Sequence, residues 1–501
     1  MTSTESKVAI IGAGVFGLST ALHLARKGYK DVTVFDYQPY DVNVYNPSEG
    51  CDGASSDVNK IYRCSYGHET EYQDLAFSGR PIWLEWNKAI AACPSDQLPK
   101  GITPETKLFV ECGFMRISNG SVLSDYDSEC LDYLEQAGLR HHQHVTKNAD
   151  DQARLLQKEA DNPESNWQTK SKAFEHFEGG IHDGFLDTSA GVTYADKLDE
   201  LIIESGGEDQ VVKGLRTLDG KEHFADVVIV ACGGWTPSVI PEVAGILETT
   251  AGSVVTVTLP EDRQDLWDRF SPDNFPVWAY GLSGHVSAEY GGFYGFPRTP
   301  EGKIKIGYRG RKWTNYQTHP KTGKRLSVPK TKYTTDRAVN LPKKSINFIK
   351  SVVGELLPEL KGVGITDTRM CWYTDSLDNS FVIDYVPGYN ESLFVCSGGS
   401  GHGFKFLPVL GQHVANALEK RTDQFTALWK WRQPIPGTFT NGLDEGEMSG
   451  RNLAVLEMAE EKDWLWADSG AVKVGEKEQD LKHMAGVHAV TAGVQDIAVV
   501  A

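Results

Sequence analysis

The feature that most constrains this chain is Gly12-Ala-Gly14-Val-Phe-Gly17, a GxGxxG set directly between an apolar run and a helical pattern. Residues 7–12 (Lys-Val-Ala-Ile-Ile-Gly) read as a buried parallel strand running into glycine. Leu18, Ala21, Leu22 and Ala25 then recur at the spacing of one helix face, and Gly28 supplies the stop. Asp31 to Asp36 reads as a second strand, completing a βαβ opening. The glycines have separate tasks. Gly12 permits the tight turn, Gly14 lets the backbone approach a pyrophosphate, and Gly17 lets the helix pack closely on the strand. The helix N-terminus stabilises phosphate charge. Asp36, 24 residues after Gly12, is placed to accept bonds from the adenosine ribose hydroxyls and to repel a 2′-phosphate.

A dinucleotide cofactor is therefore expected, and two distant segments favour FAD over NAD. Ala225 to Trp235 reads as a later strand of the same sheet, ending in Gly233-Gly234. Ser397-Gly-Gly-Ser-Gly-His-Gly403 is a second glycine cluster ahead of an apolar helix, 407–419. A second helix N-terminus suits a flavin, whose pyrimidine carbonyl gains negative charge on reduction. An NAD-dependent dehydrogenase and a flavin-binding protein without turnover remain as readings of other classes.

The chain has 501 residues, enough for two or three domains. Strands at 8, 227 and 393 all read as buried and run into glycine. The expected fold is α/β. A discontinuous FAD-binding Rossmann-type domain with a parallel sheet is built from 1–75, 180–245 and 365–430. Residues 76–179 and 246–364 form a mixed β-sheet (α+β) substrate domain, and 431–501 is an acidic extension wrapped on the surface or partly loose. Within this plan 37–58 reads as a loop. Helices are expected near 70–92, within 182–205 after a strand end, and within 330–365. Leu218-Asp-Gly-Lys221 signals a hairpin.

Fifty basic and 68 acidic residues leave a net charge of −18. Such a chain is repelled by nucleic acid and anionic membrane surfaces. No uncharged apolar run approaches the ~18 residues of a membrane span. The N-terminus carries no secretory pattern and the last residues match no peroxisomal or retention address, so an intracellular monomer is expected. Eight cysteines without a CxxC pair argue against a zinc site and a disulfide scaffold.

The sequence resembles the amine-oxidising flavoenzymes related to monomeric sarcosine oxidase, a group with fungal pipecolate and saccharopine oxidases and the fructosyl-amino-acid oxidases (amadoriases). The likeness rests on Val8 to Asp36, on Asn59-Lys-Ile-Tyr-Arg63, and on Gly295-Phe-Pro with Ile304-Lys-Ile-Gly-Tyr308. It continues through Arg369-Met-Cys371-Trp-Tyr373 and Phe381-Val-Ile-Asp384 to Gly401-His-Gly-Phe-Lys-Phe406. It spans roughly residues 7–430.

The resemblance implies a sarcosine-oxidase-like fold and FAD joined through Cys371 sulfur to the flavin 8-methyl carbon. It makes Lys305 the cation that speeds reaction with oxygen, although alternation with Lys303 alone puts Lys305 toward water. Arg63 and Lys405 match residues that hold a substrate carboxylate, and Lys60 a cation against the other flavin face. The cofactor set implied is Gly12, Gly14, Phe16, Gly17, Asp36, Asn59, Lys60, Val212, Gly233, Cys371, Gly399, Gly401, Phe404 and Lys405; no metal is expected. His402 receives no role, and Tyr294 is a candidate pocket residue. Arg309 departs from the histidine that sarcosine oxidase has after Lys-x-Gly-Tyr. The activity implied is oxidation of a secondary or N-substituted amino acid to an imine, with O2 reduced to H2O2. A fructosyl amino acid, or an N-methylated aromatic intermediate of secondary metabolism followed by ring closure, is the alternative substrate.

Overall fold

The computed structural model describes residues 2–36, 53–98, 101–118, 120–161, 183–194, 211–217, 220–282, 292–331, 341–435, 439 and 442–465. Residues 37–52 of the expected loop, with Cys51, residues 332–340 and the tail from 466 lie outside them. So do residues 195–210, which include the end of the strand and helix expected over 182–205; the described part of that segment forms two strands, Gly184–Asp187 and Gly191–Tyr194.

The opening folds as its periodicity dictates. Strand Lys7–Ile11 leads through the glycine turn into helix Val15–Arg26 and strand Asp31–Phe35. The five-stranded sheet has the order Val382–Tyr385, Leu393–Ser397, Val227–Val230, Lys7–Ile11, Asp31–Phe35. The last four are parallel and Val382–Tyr385 is antiparallel. Residues over 200 positions apart in sequence are thus adjacent strands, each reading as an unbroken apolar run because both sheet faces are covered. The first helix docks on helix Leu410–Leu418. Ser19 Oγ donates to Leu407 O at 2.6 Å and accepts from Gly411 N at 2.7 Å.

The second sheet has eight strands. Their order is Asp367–Ser376, Leu247–Thr258, Lys303–Trp313, Phe293–Gly295, Val277–Tyr280, Phe114–Ile117, Gly184–Asp187, Gln143–Val145. Gly184–Asp187 and Asp367–Ser376 fall inside segments expected to build the nucleotide domain, yet they pair here. Asp367–Ser376 makes a ten-residue ladder with Leu247–Thr258. Burial marks a strand as interior, but only its ladder partner assigns it to a sheet. A small sheet of Phe109–Val110, Gly191–Tyr194 and Asn59–Tyr62 carries the Asn59 segment.

The helices expected near 70–92 and within 330–365 form as Thr70–Ala92 and Lys343–Leu356, and strands Gly214–Arg216 and Glu222–Phe224 make the hairpin. The extension differs from expectation over 442–465, which is inserted rather than loose. Arg451 is 2% exposed and pairs with Glu248 at 2.9 Å, while Leu453 and Ala459 join the core of the larger sheet. A buried Glu248 needs a cation, and this segment brings it. Among the described residues no helix is long and apolar enough to cross a membrane.

Candidate active site

The glycine turn is built by steric necessity. Gly12 has φ +97°, and a Cβ there would lie 2.5 Å from Ala231 O. A Cβ on Gly17 would lie 1.8 Å from Gly12 O, so only glycine lets helix and strand approach this closely. Asp36 Oδ2 accepts from Ala13 N at 2.6 Å, tying the end of the second strand to the turn. The N–H of Val15, at the helix start, donates to Ser55 Oγ at 3.0 Å. Gly233, at φ +52°, follows Cys232, whose Sγ donates to Ile11 O at 3.6 Å. The two glycine clusters meet at Phe16: a Cβ on Gly399 or Gly403 would stand 2.9 or 3.1 Å from its ring. Val212 is placed elsewhere. Its N–H donates to Ser392 Oγ at 2.7 Å, ahead of strand Leu393–Ser397 and at the opposite sheet end from Gly12.

The larger sheet presents the polar groups by its period of two. Lys305, Gly307 and Arg309 lie on one face of strand Lys303–Trp313, and Arg369, Cys371 and Tyr373 on the same face of strand Asp367–Ser376. Segment 53–59 lies over this face. Lys305 Nζ is buried and donates to Asp57 Oδ2 at 2.7 Å and Asn59 O at 2.6 Å, with the Phe296 ring centroid 4.3 Å away. The solvent-facing reading of Lys305 therefore fails. Arg369 Nη1 stands 3.1 Å from Asp57 Oδ1, and Nη2 donates to Gly53 O at 2.9 Å.

Burial opposes the charge on Asp57, but Lys305 and Arg369 hold its carboxyl down at about 2. Burial pushes Lys305 below the usual lysine range while Asp57 pulls it back, and it draws Lys60 to about 7 against the same pull. Lys60 Nζ donates to Ser55 O at 3.1 Å and to Asp57 O, and stands 4.6 Å from the Phe404 ring centroid. The Cys371 thiol is pushed up by burial, against the pull of Arg369 and Lys305. Asn59 is buried, and both polar atoms of its side-chain amide lack a partner among the described residues.

Arg63 and Lys405 come together about one ring. The Arg63 guanidinium carbon lies 3.9 Å and Lys405 Nζ 5.2 Å from the Tyr66 ring centroid. Lys405 is buried, donates to His402 O at 2.7 Å, and has its backbone carbonyl held by Trp83 Nε1 at 2.9 Å. Burial, with the charges of Arg63 and Arg309, pushes Lys405 far below the usual lysine range, against the pull of Glu69. His402 is engaged structurally, with Nδ1 3.2 Å from Tyr66 OH and Nε2 3.1 Å from Asn379 O. The Tyr294 ring lies over Gly307, where a Cβ would stand 2.1 Å from it. Among the described residues no three His, Cys, Asp or Glu side chains gather as a metal site.

The cations expected at the site, Lys60, Arg63, Lys305 and Lys405, are therefore assembled from three separate segments. Sequence reasoning missed Asp57, Ser55 and Tyr66, and it quoted Arg369 without a role. Asp57 and Ser55 stand just ahead of Asn59, and an acid beside a cluster of predicted buried cations was the available signal.

A model of the family described as FAD dependent oxidoreductase matches residues 7–417. L-saccharopine oxidase of Schizosaccharomyces pombe is 25% identical over 463 residues, covering 85% of this chain and 93% of that protein. Monomeric sarcosine oxidase of Bacillus sp. NS-129 is 25% identical over 423 residues, covering 82% and 92%. Among solved structures, fructosyl peptide oxidase from E. terrenum superposes with a TM-score of 0.67 at 22% identity, over 92% of this chain and 100% of that one.

Proposed function

The chain belongs to the FAD dependent oxidoreductase family, and on that premise we propose that it oxidises the C–N bond of a secondary or N-substituted amino acid to an imine, with O2 reduced to H2O2. Carrying this reading is the gathering of Arg63 and Lys405 about Tyr66, linked through Arg309 to the sheet face that holds Lys305 and Cys371. The family sets the NAD reading aside, and the residues present fit FAD. Gly12, Gly14, Gly17 and the helix N-terminus suit its pyrophosphate, Asp36 its ribose, and the unpartnered amide of Asn59 a bound polar group. Cys371 sulfur is the proposed covalent anchor.

Bound FAD supplies the acceptor for a hydride from the carbon beside the amine nitrogen and hands the electrons to oxygen. The chain's own groups do the rest. Arg63 grips a substrate carboxylate with its planar fork and Lys405 adds a point charge, so the C–H bond is oriented. The surrounding cations disfavour a protonated amine, which leaves the nitrogen lone pair available without a side-chain base. Lys305, fixed by Asp57, is a preorganised cation for the charge that oxygen acquires. Among the relatives, the names saccharopine oxidase and sarcosine oxidase support an N-substituted amino acid as the substrate class.

The test is peroxide release from a panel of sarcosine, pipecolate, saccharopine, a fructosyl amino acid and an N-methylated aromatic amino acid, each beside its carboxamide. Turnover of at least one acid, with its carboxamide at least tenfold poorer in kcat/KM, is expected. Equal turnover of acid and amide refutes the roles of Arg63 and Lys405, and a yellow protein that never releases peroxide refutes the oxidase.

A further inference from the structure

Arg309 stands four residues along the same sheet face from Lys305, about 13 Å at ~3.3 Å per residue. Its guanidinium rests against Gly401, where a Cβ would lie 2.6 Å from Cζ and both terminal nitrogens. Gly401 has φ +72° and leaves that surface open for the planar group. Arg309 donates from Nε to Tyr373 OH at 3.2 Å and from Nη2 to Ser400 O at 3.1 Å. A guanidinium has five donors; among the described residues Nη1 bonds to nothing and no carboxylate pairs with Arg309. Asp375, the acid whose field it feels most, is engaged by Lys312 at 2.9 Å and Thr250 at 2.6 Å.

Lys405 donates to the carbonyl of His402, two residues on from Ser400 in the same turn. Arg309 and Lys405 therefore bond carbonyls two residues apart in one loop, and Lys405 shares the Tyr66 ring with Arg63. One carboxylate matches Arg63 and Lys405 and leaves Arg309, on the same loop, with Nη1 unengaged among the described residues. A neutral or cationic substituent would strand that charge, whereas a second carboxylate would meet it in bidentate fashion.

We propose that the substrate is an N-substituted amino acid bearing a second carboxylate on its substituent, held by Arg309 beside Tyr373 and Ser400. This rests on the reading that Arg63 and Lys405 hold the first carboxylate.

The experiment titrates the yellow holoprotein with thioethers in which sulfur replaces the amine nitrogen. Alkylthioacetates are compared with carboxyalkylthioacetates of one to four methylenes, and binding is read from the perturbed flavin absorbance. The best dicarboxylate should bind at least tenfold tighter than its alkyl counterpart. Arg309→Met should cut that advantage below threefold while alkylthioacetate binding stays within threefold, and Arg309→Lys should keep part of it. The inference is overturned if no dicarboxylate binds tighter than its alkyl partner, or if Arg309→Met weakens both series alike. If alkylthioacetates fail to bind, or bind Arg63→Met and wild type equally, the underlying assignment of Arg63 and Lys405 fails instead.

Discussion

Replacing Lys305 by methionine separates a catalytic role from a structural one. The ammonium is 2% exposed and donates to Asp57 Oδ2 at 2.7 Å and Asn59 O at 2.6 Å. Removing one partner of a buried ion pair typically costs ~3–5 kcal/mol, because the other charge stays buried. Asp57 keeps Arg369 Nη1 at 3.1 Å, so the expected loss for Lys305→Met falls to about 2–3 kcal/mol. Asp57→Asn is worse, since it leaves Lys305 and Arg369 facing each other without the acid, and about 4–5 kcal/mol is expected. The double variant should then cost less than the sum by at least ~1.5 kcal/mol. Guanidinium unfolding of the four holoproteins at pH 7 measures this cycle. The acid limb adds a check of sign. Asp57 titrates at about 2 in the fold and near ~3.9 unfolded. Its stabilisation is complete above the unfolded value and lost as pH falls through the folded one. Without Lys305 the folded value rises toward the unfolded one, so the window of acid loss narrows and the stability lost across it shrinks. In stopped flow, Lys305→Met should slow reoxidation by oxygen 10²–10³-fold, the ~2.7–4 kcal/mol typical of a lost preorganised group, and change reduction by substrate less than threefold. Additive single variants within ~0.5 kcal/mol, or an unchanged reoxidation rate, would refute the reasoning.

Gly17→Ala places a methyl group 1.8 Å from Gly12 O, and the purified protein should lose its 450 nm absorbance. Cys371→Ala should release its flavin on acid precipitation, whereas in wild type the yellow colour stays with the pellet; equal release from both would remove the covalent link. Lys405→Met should raise KM for the carboxylate substrate by roughly 10–100-fold, the scale of one charge-assisted hydrogen bond, and leave the carboxamide's KM unchanged. Arg451→Met strands the buried Glu248 and should lower the unfolding free energy by ~3–5 kcal/mol in guanidinium titration; a loss under ~1 kcal/mol would show that the inserted segment is not held by this pair.

Much of the nucleotide half was legible because its rules are local. A GxGxxG between an apolar strand and a helix allows few alternatives, and Gly12 and Gly17 are demanded by contacts within one βαβ unit. Cys371, Lys405 and Arg63 were found through a resemblance, and the fold brings Lys405 and Arg63 to one ring. The alternation around Lys305 was not decisive. Lys303 and Lys305 share a face of the same strand, yet Lys303 is exposed and Lys305 is buried. What separates them is the cover. Segment 53–59 lies over Lys305 and supplies Asp57 from 248 residues away in sequence. Period two tells which side of a sheet a residue faces, and only the packing of distant segments tells whether that side meets water or an acid.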